Sequence, residues 1–338
     1  MKKYLLILFL LFGYSIAQAG WDLFLPRVAG NNWAGLDLDS DGSFLITTKF
    51  STVVYMSSTT ATSNYTKTFS NGQFFHAYCD SDGSNLFTQT ISSRAWISSD
   101  SGVSWTQTYP KGDADTQYRC LSTDADGSNL ICGQLDTTVG RLWISVDSGS
   151  SWTETRPNGN TSFAWETTAS DNDGSVLVAG YARLWTSANG GTNWTERRPL
   201  GNTNQNWSES CCSSDGAVIY VNNGATSLWK STNTGVDFIE IKPNGLTGHT
   251  WMIDCSSDGS FIIAGSNTGG RIWTSSDFGV TWAEQQPNGD ADFYWDNVAV
   301  DGAGRNMAAG AYDIGLYYYT APAIPSTATN SSNILIME

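Results

Sequence analysis

The sequence contains few basic residues and little charge of any kind. Its 338 residues include 17 lysines and arginines against 32 aspartates and glutamates, which gives a formal net charge of −15 at pH 7. The acidic residues are scattered along the chain rather than clustered. This balance argues against nucleic acid as a partner, and a solvated acidic surface is sufficient to explain it.

Histidine is also scarce, which limits the chemistry that the chain can perform. The two histidines, His76 and His249, belong to no serine, histidine and acid arrangement typical of a nucleophilic triad, and no zinc-binding spacing surrounds them. We therefore predict no catalytic histidine, no metal site and no cofactor.

Long apolar runs are absent after the first nineteen residues. Those residues begin with Lys2 and Lys3, continue with an apolar run from Tyr4 to Ile16, and end in the small-residue sequence Ala17-Gln18-Ala19. This order is typical of a cleaved secretory signal. We expect an extracytoplasmic chain, secreted or periplasmic, that is not inserted in a membrane after cleavage; an uncleaved anchor is the alternative.

Six cysteines in an exported chain permit disulfide bonds. Cys120 and Cys132 lie six residues on either side of Asp126, so a hairpin turn there would place them on facing strands, and we predict this pair as the best candidate disulfide. Three other cysteines share one place in the repeat described below, three residues before an Asp-Gly pair, where small buried core residues are expected; they are Cys79, Cys212 and Cys255.

The chain repeats with a period of about 43 residues. Asp-Gly pairs mark the period at Asp41, Asp82, Asp126, Asp173, Asp215, Asp258 and Asp301. A strand-like run precedes each pair and opens on an aromatic residue: Trp33, Phe75, Tyr118, Trp165, Trp207, Trp251 or Trp295. Two further aromatic strands follow most pairs, and a proline comes five residues after the last of them. Short strands separated by glycine turns at this period are typical of four-stranded propeller blades.

The first residues after the signal supply a strand that the last repeat lacks. Trp21 is followed five residues later by Pro26, the spacing seen after the fourth strand of the other repeats. We therefore predict an all-β fold, a seven-bladed β-propeller over residues 20–321 whose ring is closed when this N-terminal strand completes the last blade. Residues 1–19 form the signal and residues 322–338 a flexible tail rich in serine and threonine.

A second motif, Ser-x-Asp-x-Gly-x-x-Trp, lies between the third and fourth strands of several repeats. Its acid is Asp100, Asp147 or Asp277, and degenerate copies carry Asn189 or Asn233 instead. Aspartate and asparagine share a short side-chain oxygen that can hydrogen-bond the backbone a few residues on. Because a catalytic carboxylate would not tolerate this exchange readily, the pattern favours a structural turn.

These residues resemble the Asp-box, or bacterial neuraminidase repeat, of sialidase-type, sortilin-type and photosystem II assembly factor propellers. The resemblance implies that the motif is a turn on the face opposite the ligand site, so it indicates an architecture rather than an activity. Sialidase chemistry would further call for an arginine triad, a tyrosine nucleophile with its glutamate and a Phe-Arg-Ile-Pro stretch. Phe24 to Val28 does not match that stretch.

The Asp-Gly turns and the Ser-x-Asp-x-Gly-x-x-Trp turns lie on one face of the propeller. The remaining loops lie on the opposite face, here called the loop face, so the candidate ligand-binding residues belong there. Third strands there begin with an arginine, first strands with a tryptophan, and one loop carries two acids. The candidates are Arg94, Arg141, Arg183 and Arg271; Trp165, Trp207, Trp251 and Trp295; and Asp290 with Asp292. The alternative is structural, with the arginine stems and tryptophan rings packing between blades.

The hypothesis that follows is a secreted, non-catalytic propeller that binds a protein or a glycan. A glycoside hydrolase, using paired acids such as Asp290 and Asp292, is the first alternative. An assembly factor similar to the photosystem II protein is the second. The ligand and the oligomeric state are not determined by the sequence.

Overall fold

The computed structural model describes residues 20–26, 33–49, 53–58, 65–69, 74–90, 95–112, 117–135, 140–159, 164–224, 227–287, 289, 292–312 and 314–320. The predicted signal and tail lie outside these residues, as do Arg94 and Asp290. The described part of the chain contains no helix with the length and hydrophobicity of a membrane span.

Twenty-eight strands form four-stranded antiparallel sheets, seven of them in the described part of the chain. Sheet 1 contains β2 (Trp33–Leu38), β3 (Phe44–Lys49), β4 (Val53–Ser58) and β5 (Tyr65–Phe69). Sheet 2 contains β6 (Phe74–Cys79), β7 (Leu86–Thr90), β8 (Ala95–Ser98) and β9 (Thr106–Thr108). Sheet 3 contains β10 (Tyr118–Thr123), β11 (Leu130–Gln134), β12 (Leu142–Ser145) and β13 (Thr153–Thr155). Sheet 4 contains β14 (Thr167–Ser170), β15 (Leu177–Gly180), β16 (Leu184–Ser187) and β17 (Thr195–Arg197).

Sheet 5 contains β18 (Glu209–Cys212), β19 (Ile219–Asn222), β20 (Leu228–Ser231) and β21 (Ile239–Ile241), which a 3-10 turn at Pro243–Gly245 follows. Sheet 6 contains β22 (Trp251–Cys255), β23 (Ile262–Ser266), β24 (Ile272–Ser275) and β25 (Ala283–Gln285). Sheet 7 contains β26 (Trp295–Val300), β27 (Met307–Ala311), β28 (Gly315–Thr320) and β1 (Gly20–Pro26). The predicted all-β propeller of four-stranded antiparallel blades is confirmed.

The N-terminal strand joins the sheet formed by the C-terminal end of the described chain. β1 pairs antiparallel with β28, with Trp21 opposite Tyr319 and Leu23 opposite Tyr317. The rings of Trp21 and Tyr319 lie 5.6 Å apart. The indole Nε1 of Trp21 also donates a hydrogen bond to Oε1 of Gln285, at 3.4 Å, which connects β1 to sheet 6.

Adjacent sheets pack closely where the tryptophan at the start of one sheet's first strand contacts a glycine of the preceding sheet. The second strand of one sheet places a glycine against the tryptophan of the next sheet, so closely that an added Cβ would lie 2.7 to 3.0 Å from the tryptophan Cβ. These pairs are Gly133 with Trp165, Gly180 with Trp207, Gly265 with Trp295, and Gly310 with Trp33. The last of them joins sheet 7 to sheet 1. Glycine is required here because two sheets approach each other at backbone distance.

Backbone hydrogen bonds link the Asp-Gly turns from sheet to sheet. In each, an amide N–H donates to the carbonyl oxygen at the same place in the next turn. The bonds are Ser40 to Ser81 (3.0 Å), Ser81 to Ala125 (2.9 Å), Ala125 to Asn172 (3.1 Å), Asn172 to Ser214 (3.0 Å), Ser214 to Ser257 (2.7 Å), Ser257 to Gly302 (2.9 Å) and Gly302 to Ser40 (2.9 Å). Since the last bond returns to the first residue, these seven bonds form a cycle.

Two positions of the predicted repeat are shifted in the structure. The sequence aligned Asp301 with Asp41, but in the structure Asp301 corresponds to Asp39, two residues earlier in the turn. The backbone N–H of each, Asp39 and Asp301, donates to the carbonyl oxygen five residues later. In sheet 2 the aromatic residue that starts the first strand is Phe74, not Phe75. Both predictions were wrong for one reason: matching letters in a degenerate repeat do not fix its register, which the hydrogen bonds do.

The predicted disulfide between Cys120 and Cys132 is absent, and all six cysteines are free thiols. Cys120 lies opposite Gly133, and Cys132 lies opposite Leu121. Because side chains alternate between the faces of a sheet, this one-residue offset sends the two thiols to opposite faces, where they belong to different core clusters. The hairpin is centred between Asp126 and Gly127 rather than on Asp126, since Thr123 pairs with Leu130, and this half-residue displacement produces the offset.

Candidate functional site

The acids of the Ser-x-Asp-x-Gly-x-x-Trp motif are engaged in their own turns. Asp147 accepts hydrogen bonds from the backbone N–H and the hydroxyl of Ser151, at 2.7 and 2.6 Å, and from the hydroxyl of Ser145 at 2.8 Å. Asp100 and Asp277 make the corresponding contacts. In the degenerate copies the side-chain oxygens of Asn189 and Asn233 accept the same backbone hydrogen bond, at 2.8 and 2.9 Å.

These hydrogen bonds stabilise the ionised form of the turn acids. The hydroxyl and the N–H of Thr281, with the hydroxyl of Ser275, lower the pKa of Asp277 to about 2. Hydrogen bonds from serine lower the pKa values of Asp100 and Asp147 as well. A carboxylate held ionised by three donors is suited to fixing a turn and poorly suited to donating a proton.

The three predicted loop-face arginines that the structure describes are paired with glutamates of their own sheets. The guanidinium groups lie 2.9 to 3.5 Å from a carboxylate on the neighbouring fourth strand: Arg141 with Glu154, Arg183 with Glu196, and Arg271 with Glu284. Arg271 also lies 2.8 Å from Asp292, whose side chain is 66% exposed. The sequence contains a signal for this pairing, because each glutamate follows the third aromatic residue of its repeat by two positions.

The four predicted tryptophans are buried between sheets. Trp165, Trp207, Trp251 and Trp295 expose 0 to 3% of their surface, and each belongs to a hydrophobic core cluster. A ring buried to this degree has no face available for a ligand, so the structural alternative fits these residues and the ligand-binding prediction does not.

The first strands of the sheets surround a central channel that sequence reasoning did not identify. A cavity of about 230 Å³ lies along it. Its lining is polar and includes the acidic residues Asp37, Glu166, Glu209 and Asp254 and the cysteines Cys79, Cys120, Cys211 and Cys212. The first strands that carry these residues follow one another at about one repeat period in the sequence, so only the packing of the sheets brings them together.

Burial raises the pKa values of three acids in this channel. The pKa of Asp37 is raised to about 7, although its carboxylate accepts hydrogen bonds from the N–H groups of Leu38 and Cys79, both at 2.9 Å. Burial and then the negative charge of Asp37 raise the pKa of Asp254 to about 8. Burial raises the pKa of Glu209 to about 8 against the opposing effect of Arg119. The channel thus favours neutral carboxyl groups because it excludes the water that would solvate their charge.

The end of the channel farthest from the Asp-Gly turns opens on the loop face; this opening is here called the mouth. A second cavity of about 230 Å³ lies there, lined by Trp33, Ala34, His76, Arg119, Glu209, Met252, Asn267, Asp296, Asn297 and Tyr312. Tyr312 is 48% exposed, and the nearby Tyr294 is 56% exposed. The amide N–H of Tyr312 donates to the carbonyl oxygen of Tyr294 at 2.8 Å, which fixes the two residues relative to each other.

Charge at the mouth is largely compensated. The guanidinium of Arg119 lies 3.0 Å from the carboxylate of Glu166. Burial and the charge of Arg119 lower the pKa of His76 to about 3, so the imidazole is neutral at physiological pH. Burial raises the pKa of Asp296 to about 7. The mouth therefore offers hydrogen-bonding groups and aromatic surface with little net charge.

Asp296 predicts a pH dependence of stability. Its pKa of about 7 in the folded chain exceeds that of about 4 in the unfolded chain. The contribution of Asp296 to the free energy of unfolding is therefore complete below about pH 4 and is lost as the pH rises through about 7. The parent should lose unfolding free energy between about pH 4 and pH 8, and the loss in Asp296→Asn should be smaller by about 2 kcal/mol. This is roughly half of the free energy that the full pKa shift corresponds to, because the carboxyl group is partly solvated.

Urea unfolding of the parent and the variant across this range measures the effect. The control is Asp126→Asn, because hydrogen bonds from Ser128 lower the pKa of Asp126 and place its titration below the range. An Asp296→Asn profile parallel to that of the parent would contradict the prediction.

Comparison with solved structures finds similar folds at low sequence identity. YCF48 from Cyanidioschyzon merolae is 13% identical, with a TM-score of 0.65 over 90% of this chain and 99% of that chain. The Niastella koreensis GH74 enzyme is 16% identical, with a TM-score of 0.69 over 87% of this chain and 53% of that chain, so the match spans about half of that enzyme. No protein-family model and no curated protein matches the sequence. At these identities the likeness supports the propeller fold alone.

Proposed function

We propose that the chain is an exported, non-catalytic propeller that binds a protein or glycan ligand at the mouth. The observation that carries this proposal is the mouth cavity, where aromatic surface, amides and a compensated ion pair face the loop-face opening of the channel. Ligand sites are typically concave, with a few polar groups that fix orientation. The sequence of residues 1–19 supports export.

The chemistry of the mouth favours an uncharged glycan over an anionic one. Arg141, Arg183 and Arg271, which would attract carboxylates, are paired with glutamates. Asn267 and Asp296 supply amide and carboxyl groups for sugar hydroxyls, and the exposed ring of Tyr312 supplies a flat apolar face. A protein ligand is the alternative occupant, since tyrosine is also enriched in protein interfaces.

Replacement of Tyr312 tests the location. We expect Tyr312→Ala to weaken binding of a neutral oligosaccharide, identified with a glycan array, by at least about tenfold, because an aromatic contact in a site contributes on the order of 1 to 2 kcal/mol. Calorimetry of the parent and the variant measures the loss. Tyr109→Ala is the matched control, since Tyr109 is 40% exposed and lies outside the mouth.

Equal affinity of the parent and Tyr312→Ala would refute the location. If no glycan binds, the protein alternative takes its place, and the same two variants then apply to a partner captured from the native source.

Hydrolysis of a glycan is the second candidate function, and one observation favours it. A glycosidase needs one protonated and one ionised carboxyl group. Asp296, with its raised pKa, would be the acid, and Asp292, which lies 2.8 Å from Arg271, would be the second carboxyl group. Turnover of a glycan panel that disappears in Asp296→Asn would support hydrolysis; no turnover across the panel would exclude it for those substrates.

A role as an assembly factor is the third candidate. YCF48 is matched over 99% of its length, whereas the GH74 enzyme is matched over 53%. The near-complete match to YCF48 supports considering this role. The assembly function predicts a photosynthetic source and co-purification with a photosystem complex; a source without photosystems would exclude it.

We also infer that the seven sheets form one ring in which β1 is the outer strand of the last blade. The pairing of β1 with β28 supports this arrangement, as does the cycle of backbone hydrogen bonds. A closed ring would hold the residues of the mouth at fixed distances, which a binding site requires.

A further inference from the structure

Two neighbouring first strands bring thiols and a carboxylate together beside the channel. Cys211 lies on β18 of sheet 5, and Asp254 and Cys255 lie on β22 of sheet 6. Their potential ligand atoms, two sulfurs and a carboxylate oxygen, all lie within 4.8 Å of one another. The grouping depends on the packing of two sheets, so the sequence, which predicted no metal site, did not reveal it.

The thiols and the carboxyl group of this grouping come from different surroundings. Cys211 and Cys255 adjoin a hydrophobic cluster that contains Trp251 and Ile253. Asp254 brings a carboxyl group to the same place and lines the central cavity together with Cys211. Backbone partners offset the cost of burying the Asp254 carboxyl group, and what distinguishes it is its distance of no more than 4.8 Å from two sulfurs.

The carboxylate of Asp254 is already oriented. One oxygen accepts a hydrogen bond from the N–H of Cys255 at 2.8 Å, and the other accepts one from the N–H of Val300 at 2.8 Å. Each oxygen retains a lone pair for a further partner. Such support from backbone groups is the usual way in which proteins fix a metal-binding carboxylate.

We propose that Cys211, Asp254 and Cys255 bind one zinc ion, whose fourth coordination position faces the central cavity. Two thiolates with one carboxylate are a ligand set that zinc accepts, whereas magnesium and calcium prefer oxygen ligands alone. On binding, the two thiols and the carboxyl group of Asp254 release their protons to solvent. The cavity of about 230 Å³ has room for a water molecule at the fourth position. This site is independent of the proposed ligand at the mouth.

Metal titration of the reduced, metal-free full chain tests the proposal. We expect one equivalent of zinc to bind with a Kd below about 1 µM, measured by competition with a chromophoric chelator. Cobalt(II) in place of zinc should give the near-ultraviolet absorption of a thiolate-to-metal charge transfer. Zinc should also raise the Tm, because the folded chain alone holds the site.

Substitutions identify the ligands. Cys211→Ser, Cys255→Ser and Asp254→Asn should each weaken zinc binding by at least about tenfold. Cys132→Ser is the matched control, because Cys132 is also a buried thiol but lies in sheet 3; it should bind zinc as the parent does. Circular dichroism establishes that each variant is folded.

Three results would overturn the proposal, and the first two use the unaltered chain, so they hold even if a variant does not fold. They are the absence of a cobalt–thiolate absorption, a disulfide between Cys211 and Cys255 in protein isolated from its native compartment, and zinc affinity that is unchanged in folded Cys211→Ser and Cys255→Ser variants.

Discussion

Removal of residues 21–26 is expected to lower the free energy of unfolding by at least about 4 kcal/mol. The deletion would break the pairing between β1 and β28 and would remove the partly buried ring of Trp21 from the core cluster of sheet 7. It would also leave β28 as an unpaired edge strand, which favours aggregation. Urea unfolding followed by tryptophan fluorescence measures the loss of stability, and light scattering measures aggregation.

A double substitution in the same strand provides the control for this deletion. The side chains of Asp22 and Leu23 are exposed, with Leu23 at 51%, so Asp22→Ala with Leu23→Ala keeps the backbone pairing and should change stability by less than about 1 kcal/mol. A deletion variant as stable as this control would contradict both the role of β1 and the inferred ring.

Gly35→Ala is expected to destabilise the chain by about 3 kcal/mol or more, or to prevent folding. A Cβ at Gly35 would lie 2.3 Å from the backbone nitrogen of Ala77 and 2.6 Å from the carbonyl carbon of His76, both on the first strand of sheet 2. These are backbone atoms, so relief would require the two sheets to move apart. Chemical denaturation of purified protein, or the soluble yield if none folds, measures the effect.

The control for this substitution is a glycine in open space. A Cβ at Gly201 would meet no atom within 4 Å, and its φ of +71° adds a backbone cost of about 1 kcal/mol for alanine. We therefore expect Gly201→Ala to be much less harmful than Gly35→Ala. Similar losses in the two variants would show that the contact between sheets 1 and 2 is looser than the structure indicates.

Local chemistry made much of the fold predictable. The motif that contains Asp147 forms a turn because a short acidic side chain reaches the backbone N–H four residues on, and asparagine can make the same hydrogen bond. The Trp21 to Pro26 spacing pointed to a fourth strand because the same spacing recurs in other repeats. Such signals lie within a few residues of each other, so a single sequence contains them.

The candidate site was far less predictable. The sequence pointed to tryptophans that are buried and to arginines that are paired with glutamates on the adjacent strand. A periodic residue looks the same in the sequence whether its period serves packing or binding. The residues of the mouth, such as Arg119, Asp296 and Tyr312, share no motif, because each comes from a different sheet or loop.

The sequence by itself determined the class of fold, the strands and the structure of the turns, since repeat spacing and turn chemistry act over short distances along the chain. Tertiary structure decided the register of the repeats, the faces on which the cysteines lie, and the grouping of Cys211 with Asp254 and Cys255. It also decided the pKa values of the channel acids, because these depend on how completely seven strands distant in sequence exclude water.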